Sequence, residues 1–214
     1  MSEQIDENKN KKYYDHISVS LRTKQLSHFV LPHDKPSMLE QILKNRSDKN
    51  IVIITKNKRS ADTLSEDLKT KDITALAIHG NHRLEQQLDA AKAFDAQEIK
   101  VLITTDKILK ALELKSIEII ISYDLPVDSN EYYARVRYVD EKGESLALVS
   151  PEDEKHLLNI EFLMRDEMQE EEVPGFIPST EEAPRQERKT RKKPRHSAKK
   201  KLLKKEKEKE KTVD

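Results

Sequence analysis

Cysteine and tryptophan are absent from the 214 residues, glycine occurs only three times, and aromatic residues make up 5%. Without cysteine there is no disulfide scaffold, no thiolate zinc site and no cysteine nucleophile. Three glycines leave no room for a glycine-rich phosphate loop, and the G-x-S-x-G elbow of hydrolases does not occur. No run of about 18 apolar residues is present to span a bilayer. The opening stretch MSEQIDENKNKKYYD is too polar for a secretory signal. No pair of carboxylates stands out as acid and base, and no His has a third ligand at convincing metal spacing. Neither a catalytic residue nor a metal site is therefore assigned. The composition fits a cytoplasmic protein with no membrane contact.

Charge is abundant and unevenly placed. Lys plus Arg and Asp plus Glu both total 40, and charged residues make up 37%. Residues 185–214 hold 15 of the basic and 5 of the acidic groups, a net charge of +10. Residues 1–184 therefore hold 25 and 35, a net charge of −10. A basic tail on an acidic body points to a polyanion as the tail's partner, although a solvated solubility extension has the same composition.

Residues 1–25 are polar and lack periodicity, so the sequence predicts disorder there. From 26 to 164 short β-branched runs recur at 27–31, 51–55, 75–78, 101–104, 117–122 and 145–149. Helical spacing occupies 38–45, 60–69, 83–94, 107–112, 130–136 and 152–164. Alternating strands and helices predict a parallel sheet covered on both faces. IVIIT and IEIIIS are continuous apolar runs, as central strands buried on both sides require. Residues 165–184, acidic and broken by Pro174, Gly175 and Pro178, read as a linker. Residues 185–214 read as a low-complexity disordered tail with no apolar face to bury.

In open α/β sheets, ligands sit beyond the carboxyl ends of the strands. The residues just past the apolar runs are therefore the candidate site. Thr55, Lys56 and Lys58 follow the first of these turns, His79 and Gly80 the second, and Thr104 and Thr105 the third. Hydroxyls and lysines at helix starts suit a sugar–phosphate backbone held without base reading. Each also has a plain structural alternative. Thr104-Thr105-Asp106 suits a helix N-cap, Gly80 fits a packed turn with positive φ, and Tyr132, Tyr133 and Tyr138 suit core packing better than base stacking.

The order IVIITKNKRSADTLSEDL, ALAIHGN, AAKAF, IKVLITTD and IIISYDLPVDSNEYYARV resembles the second RecA-like domain of DEAD-box RNA helicases. AIHGN and PGFIP resemble the RhlE-type branch. The resemblance covers residues 26–164. It implies a three-layer RecA-like α/β fold, RNA contact at the eight residues from Thr55 to Lys110 (Thr55, Lys56, Lys58, His79, Gly80, Thr104, Thr105 and Lys110), and a nucleotide-facing side at Glu113 and Arg135.

The departures from that family are equally specific. Neither the phosphate loop nor the D-E-A-D string of the family's first domain occurs in these residues. Where the family reads T-D-A-A-R-G-[LI]-D, this chain places Lys110 for Arg, Ala111 for Gly and Glu113 for Asp. The H-R-I-G-R-x-G-R segment shortens to Ala134-Arg135-Val136-Arg137-Tyr138, and the Q-x-x-R positions fall at Leu84 and Gln87. Phosphoryl transfer needs a phosphate cradle, magnesium ligands and an arginine finger. The expected function is therefore RNA binding without autonomous ATP turnover and with no cofactor. Two alternatives stay open. One is a helicase half that acts on ATP with a first RecA-like domain supplied by a protein partner. The other is a protein-interaction module in RNA metabolism.

Overall fold

A computed structural model describes residues 22–179. The expectations for 1–21 and for the basic tail lie outside the described residues. Seven parallel strands form one sheet in the order β3-β4-β2-β5-β6-β1-β7. The strands are β1 (Lys24–Phe29), β2 (Ile51–Ile54), β3 (Leu76–Ala77), β4 (Val101–Thr104), β5 (Ile117–Ser122), β6 (Val139–Val149) and β7 (Gln169–Glu170). The helices are α1 (Lys35–Asn45), α2 (Lys58–Lys69), α3 (Leu84–Asp95), α4 (Asp106–Leu112), α5 (Ser129–Val136) and α6 (Glu154–Met164).

The period of two along each strand divides the core. Ile51, Ile53, Ile103, Ile119, Ile121, Leu146 and Leu148 face α1 and α2. Val52, Ile54, Leu102 and Ile120 face α3 and α4, and Ala147 and Val149 face α5 and α6. All four β2 residues are buried, as a central strand between two helical layers requires. Seven strands with six helices over both faces make the expected three-layer α/β architecture.

Boundaries moved where polar residues conceal pairing. β1 starts at Lys24, inside the stretch expected to be disordered, because Lys24 and Gln25 pair with Glu144 and Ser145. β6 starts at Val139 rather than at 145, through the polar run VDEKGE. Its register slips between Ile117 and Ile119 of the neighbouring strand. A Cβ on Gly143 would lie 2.3 Å from a Val139 methyl and 2.5 Å from the Glu118 carbonyl oxygen. Gly143→Ala must therefore push backbone aside, and we expect it to cost roughly 2–3 kcal/mol, read as a lower urea midpoint at unchanged slope.

The expected linker is a correction. Up to Ser179 it belongs to the body. Gln169 and Glu170 pair with β1 as the edge strand, and Met168 and Val173 are buried. The Phe176 amide donates to the Val173 carbonyl at 3.0 Å. Gly175 sits at φ +83 between them, as a type II turn with Pro174 and Gly175 at its centre demands. The turn lays Phe176 against the α1 face of the core.

Candidate nucleic-acid interface

The turns after β2, β3 and β4 lie side by side because their strands are neighbours. Buried hydroxyls tie them together. Thr104 Oγ1 donates to the Ile78 carbonyl at 2.7 Å. Thr55 Oγ1 donates to the carbonyls of Asn57 at 3.2 Å and Thr104 at 3.4 Å. Both threonines are fully buried, so these hydroxyls, expected to hold phosphate, are used inside the fold and hold the loops instead. Thr105 occupies the N-cap position of α4, but its side chain makes no capping hydrogen bond.

His79 is also interior, and this corrects its assignment as an RNA contact. Its Nδ1 accepts from the Asn81 amide at 3.4 Å, which leaves Nε2–H to donate to Asp62 at 2.7 Å. Its ring packs 4.3 Å from that of His82. Among the described residues no group of three is placed to hold a metal ion. Gly80 is exposed and does not have the positive φ expected of it. A Cβ there would meet only a methyl of Ile108 at 4.0 Å. Gly80→Ala should shift unfolding free energy by less than about 0.5 kcal/mol, and a larger loss in urea titration would show that the turn needs glycine.

Lys56 and Lys58 are exposed at the turn after β2 and the start of α2, and Lys110 is exposed in the last turn of α4. The Lys56 amide donates to Asp124 at 2.8 Å, leaving its ammonium outside. Lys58 Nζ donates to the Asn81 side chain at 2.9 Å, joining the first turn to the second. Asn57 caps α2 by accepting from the Ser60 amide at 3.1 Å. Arg59, Arg83 and Lys107, absent from the sequence-based set, are exposed in or beside the same turns. Reading one helical turn past each strand end would have found them. Ala111 lies inside α4, where alanine is favoured over the family's glycine. Glu113 is the exposed C-cap with φ 49.

Arg135 corrects the expectation of a nucleotide-facing arginine. It is 2% exposed. Its Nε and Nη2 clasp Asp106 at 2.6 and 2.8 Å, while Nη1 donates to Ser122 at 2.9 Å and to the Asp124 carbonyl at 2.8 Å. The guanidinium thus joins the start of α4, the end of β5 and α5. Beside it a cleft of about 470 Å3 is lined by Lys35, Lys56 and Arg135 against Asp106, Asp124, Glu131, Glu152 and Asp153. Lys35, itself buried, pairs with Asp153 at 2.9 Å. Burial opposes ionisation of Asp153, but hydrogen bonds from Lys35 and Ser150 and the Lys35 charge hold its carboxyl below the usual range. A triphosphate would meet more carboxylates than cations there.

Tyr132 and Tyr133 are buried edge to face, 5.9 Å apart. Their hydroxyls reach Ser145 at 3.1 Å and the Ile160 carbonyl at 3.0 Å. Burial pushes Tyr133 up to about 12. They pack the core, as the sequence suggested.

Comparison with known proteins places this geometry. Residues 34–137 match the helicase conserved C-terminal domain. The chain is 32% identical over 142 residues to the ATP-dependent rRNA helicase RRP3 of Candida glabrata, covering 65% of this chain and 29% of that protein. It is 27% identical over 194 residues to the ATP-dependent RNA helicase DbpA of Bacillus subtilis, covering 86% of this chain and 38% of that protein. The chain thus spans well under half the length of these curated relatives. Among solved structures, E. coli DEAD-box protein SrmB bound to regulator of ribonuclease activity A superposes with a TM-score of 0.68 at 16% identity, covering 76% of this chain and 97% of that one. S. cerevisiae Dbp5 bound to RNA and ADP BeF3 superposes with a TM-score of 0.67 at 21% identity, covering 75% and 44%. The Dbp5 C-terminal domain bound to Gle1 and IP6 superposes with a TM-score of 0.63 at 23% identity, covering 71% and 91%. Sequence match and fold point the same way: residues 34–137 are similar to the helicase conserved C-terminal domain, and the described residues share the fold of these DEAD-box proteins.

Proposed function

We propose that the domain binds RNA by its sugar–phosphate backbone and that the residues of this chain alone do not turn over ATP. The observation carrying the reading is the contrast between two ends of one sheet edge. The turn after β2 and the helices that follow β2 and β4 present exposed Lys56, Arg59, Lys107 and Lys110, and Lys58 is joined to the neutral Asn81 of the turn after β3. Two carboxylates beside them are already engaged, Asp62 by His79 and Asp106 by Arg135. The arginine matched to the nucleotide side is buried in the interior. Backbone-directed cations fix position without reading sequence, and residues 185–214 would add further sequence-blind affinity. We also assign the chain to the RhlE-type branch, on AIHGN and PGFIP, and to the cytoplasm.

The test is equilibrium binding of a short single-stranded RNA, followed by fluorescence anisotropy. Lys56→Ala/Lys58→Ala/Lys110→Ala should weaken binding about tenfold or more at about 0.1 M salt and lower the salt slope by roughly 0.7 per lost contact. Unchanged affinity and slope would remove these turns from the interface.

A second reading has one observation in its favour: the curated relatives are ATP-dependent helicases about three times as long as the matched segment. In that reading a first RecA-like domain, supplied by a separate polypeptide, brings the phosphate loop and the magnesium ligands. Mixing the chain with such a domain and RNA would then raise ATP hydrolysis, and no rise at high concentration excludes it.

A further inference from the structure

The outer face of α6 exposes two large apolar side chains among Glu154, Lys155 and Asn159. Leu158 and Phe162 lie one turn apart and are 64% and 85% exposed. They continue a line of three adjoining hollows. The first, about 290 Å3, lies between Phe29, Val149, Phe176 and Pro178. The second, also about 290 Å3, lies between Phe29, Leu157, Leu158 and Met168. The third opens around Leu158 and Phe162. Phe29 and Glu154 border both of the first two, and Leu158, Glu161 and Glu167 border both of the last two, so the hollows form one groove.

The rim of this groove is predominantly acidic. Glu154, Glu161, Asp166, Glu167 and Glu170 line it, and among the described residues lining it Arg165 is the only cation. Glu161 is fixed by accepting from the Met168 amide at 3.0 Å. Glu154, Asp166, Glu167 and Glu170 enter no ion pair with a described residue. Contiguous exposed apolar surface inside a polar rim marks an interaction site. RNA and anionic lipid are repelled by this rim, and a second copy of the same face would set glutamates against glutamates.

We propose that the groove docks a protein segment in which adjacent aliphatic side chains are flanked by lysines or arginines. The aliphatic groups enter the hollows beside Phe29 and Leu158, and the cations meet Glu154, Glu167 and Glu170. This surface is separate from the strand-end turns, so such a partner binds without displacing RNA from them.

The probe is a fluorescein-labelled peptide of six lysines around two adjacent leucines, titrated with the full chain. Roughly micromolar binding at about 0.1 M salt is expected, as for small peptide-in-groove contacts. Leu158→Ser and Phe162→Ser should each weaken it about tenfold while leaving RNA affinity within twofold, and the charge reversal Glu167→Lys/Glu170→Lys should weaken it as much. A peptide with serines for the leucines should bind at least tenfold less tightly. Equal binding of the serine peptide would reduce the contact to diffuse attraction and overturn the proposal. So would insensitivity to all three variants, or a dimer of the full chain that Phe162→Ser dissociates.

Discussion

Arg135→Ala is expected to destabilise the domain by about 3 kcal/mol, the lower end of the roughly 3–5 kcal/mol seen when one partner of a buried ion pair is removed. The lower end applies because the Asp106 side chain keeps 22% exposure, whereas that of Arg135 keeps 2%. The change strands the Asp106 carboxylate, the Ser122 hydroxyl and the Asp124 carbonyl, all of which the guanidinium now satisfies. It also releases the start of α4 from the end of β5. Arg135→Lys should recover only part of the loss, since an ammonium cannot reproduce the fork. Urea unfolding of both variants measures this. A loss under about 1 kcal/mol for the alanine variant would mean that the guanidinium is held for something other than stability.

Removing residues 185–214 should have the largest effect on RNA binding, on the order of 100-fold at about 0.1 M salt. Those residues hold 15 of the chain's 40 cations and only 5 of its anions. Without them the chain carries a net charge of −10, which opposes association with a polyanion at long range. The residual binding should still respond to Lys56→Ala/Lys58→Ala/Lys110→Ala, with a shallower salt dependence than the full chain. Salt titrations of the two proteins with one RNA decide the matter. Equal affinity at every salt concentration would show that the tail has another role.

The sheet was legible because its signal is coarse. Runs such as IVII and IEIIIS leave few alternatives to central strands, and their alternating burial against two helical layers follows from strand geometry. What escaped was pairing by polar residues. Lys24 and Gln25, and the VDEKGE start of β6, join the ladder through their backbones, which composition does not record. Pro174-Gly175 was read as a break in a linker and not as a turn that returns the chain to the core, since that depends on Val173 and Phe176 finding the α1 face.

The strand-end positions were legible, but not the partners of each side chain. Thr55, Thr104 and His79 do sit at the strand ends, yet short polar side chains beside three neighbouring strands satisfy backbone carbonyls and a carboxylate before they satisfy a ligand. Long side chains differ, because lysine and arginine stems reach past that layer. Arg135 is the exception, since the length that would carry it to a nucleotide also lets it span from α5 to Asp106.

The account rests on RNA lying across the turns after β2, β3 and β4. Ultraviolet cross-linking of RNA to the full chain, with the linked peptides identified by mass spectrometry, tests this most directly. Cross-links on peptides spanning 55–59, 79–83 and 105–110, in addition to the tail, are the predicted result. Cross-links confined to residues 185–214, or concentrated on α6, would contradict it.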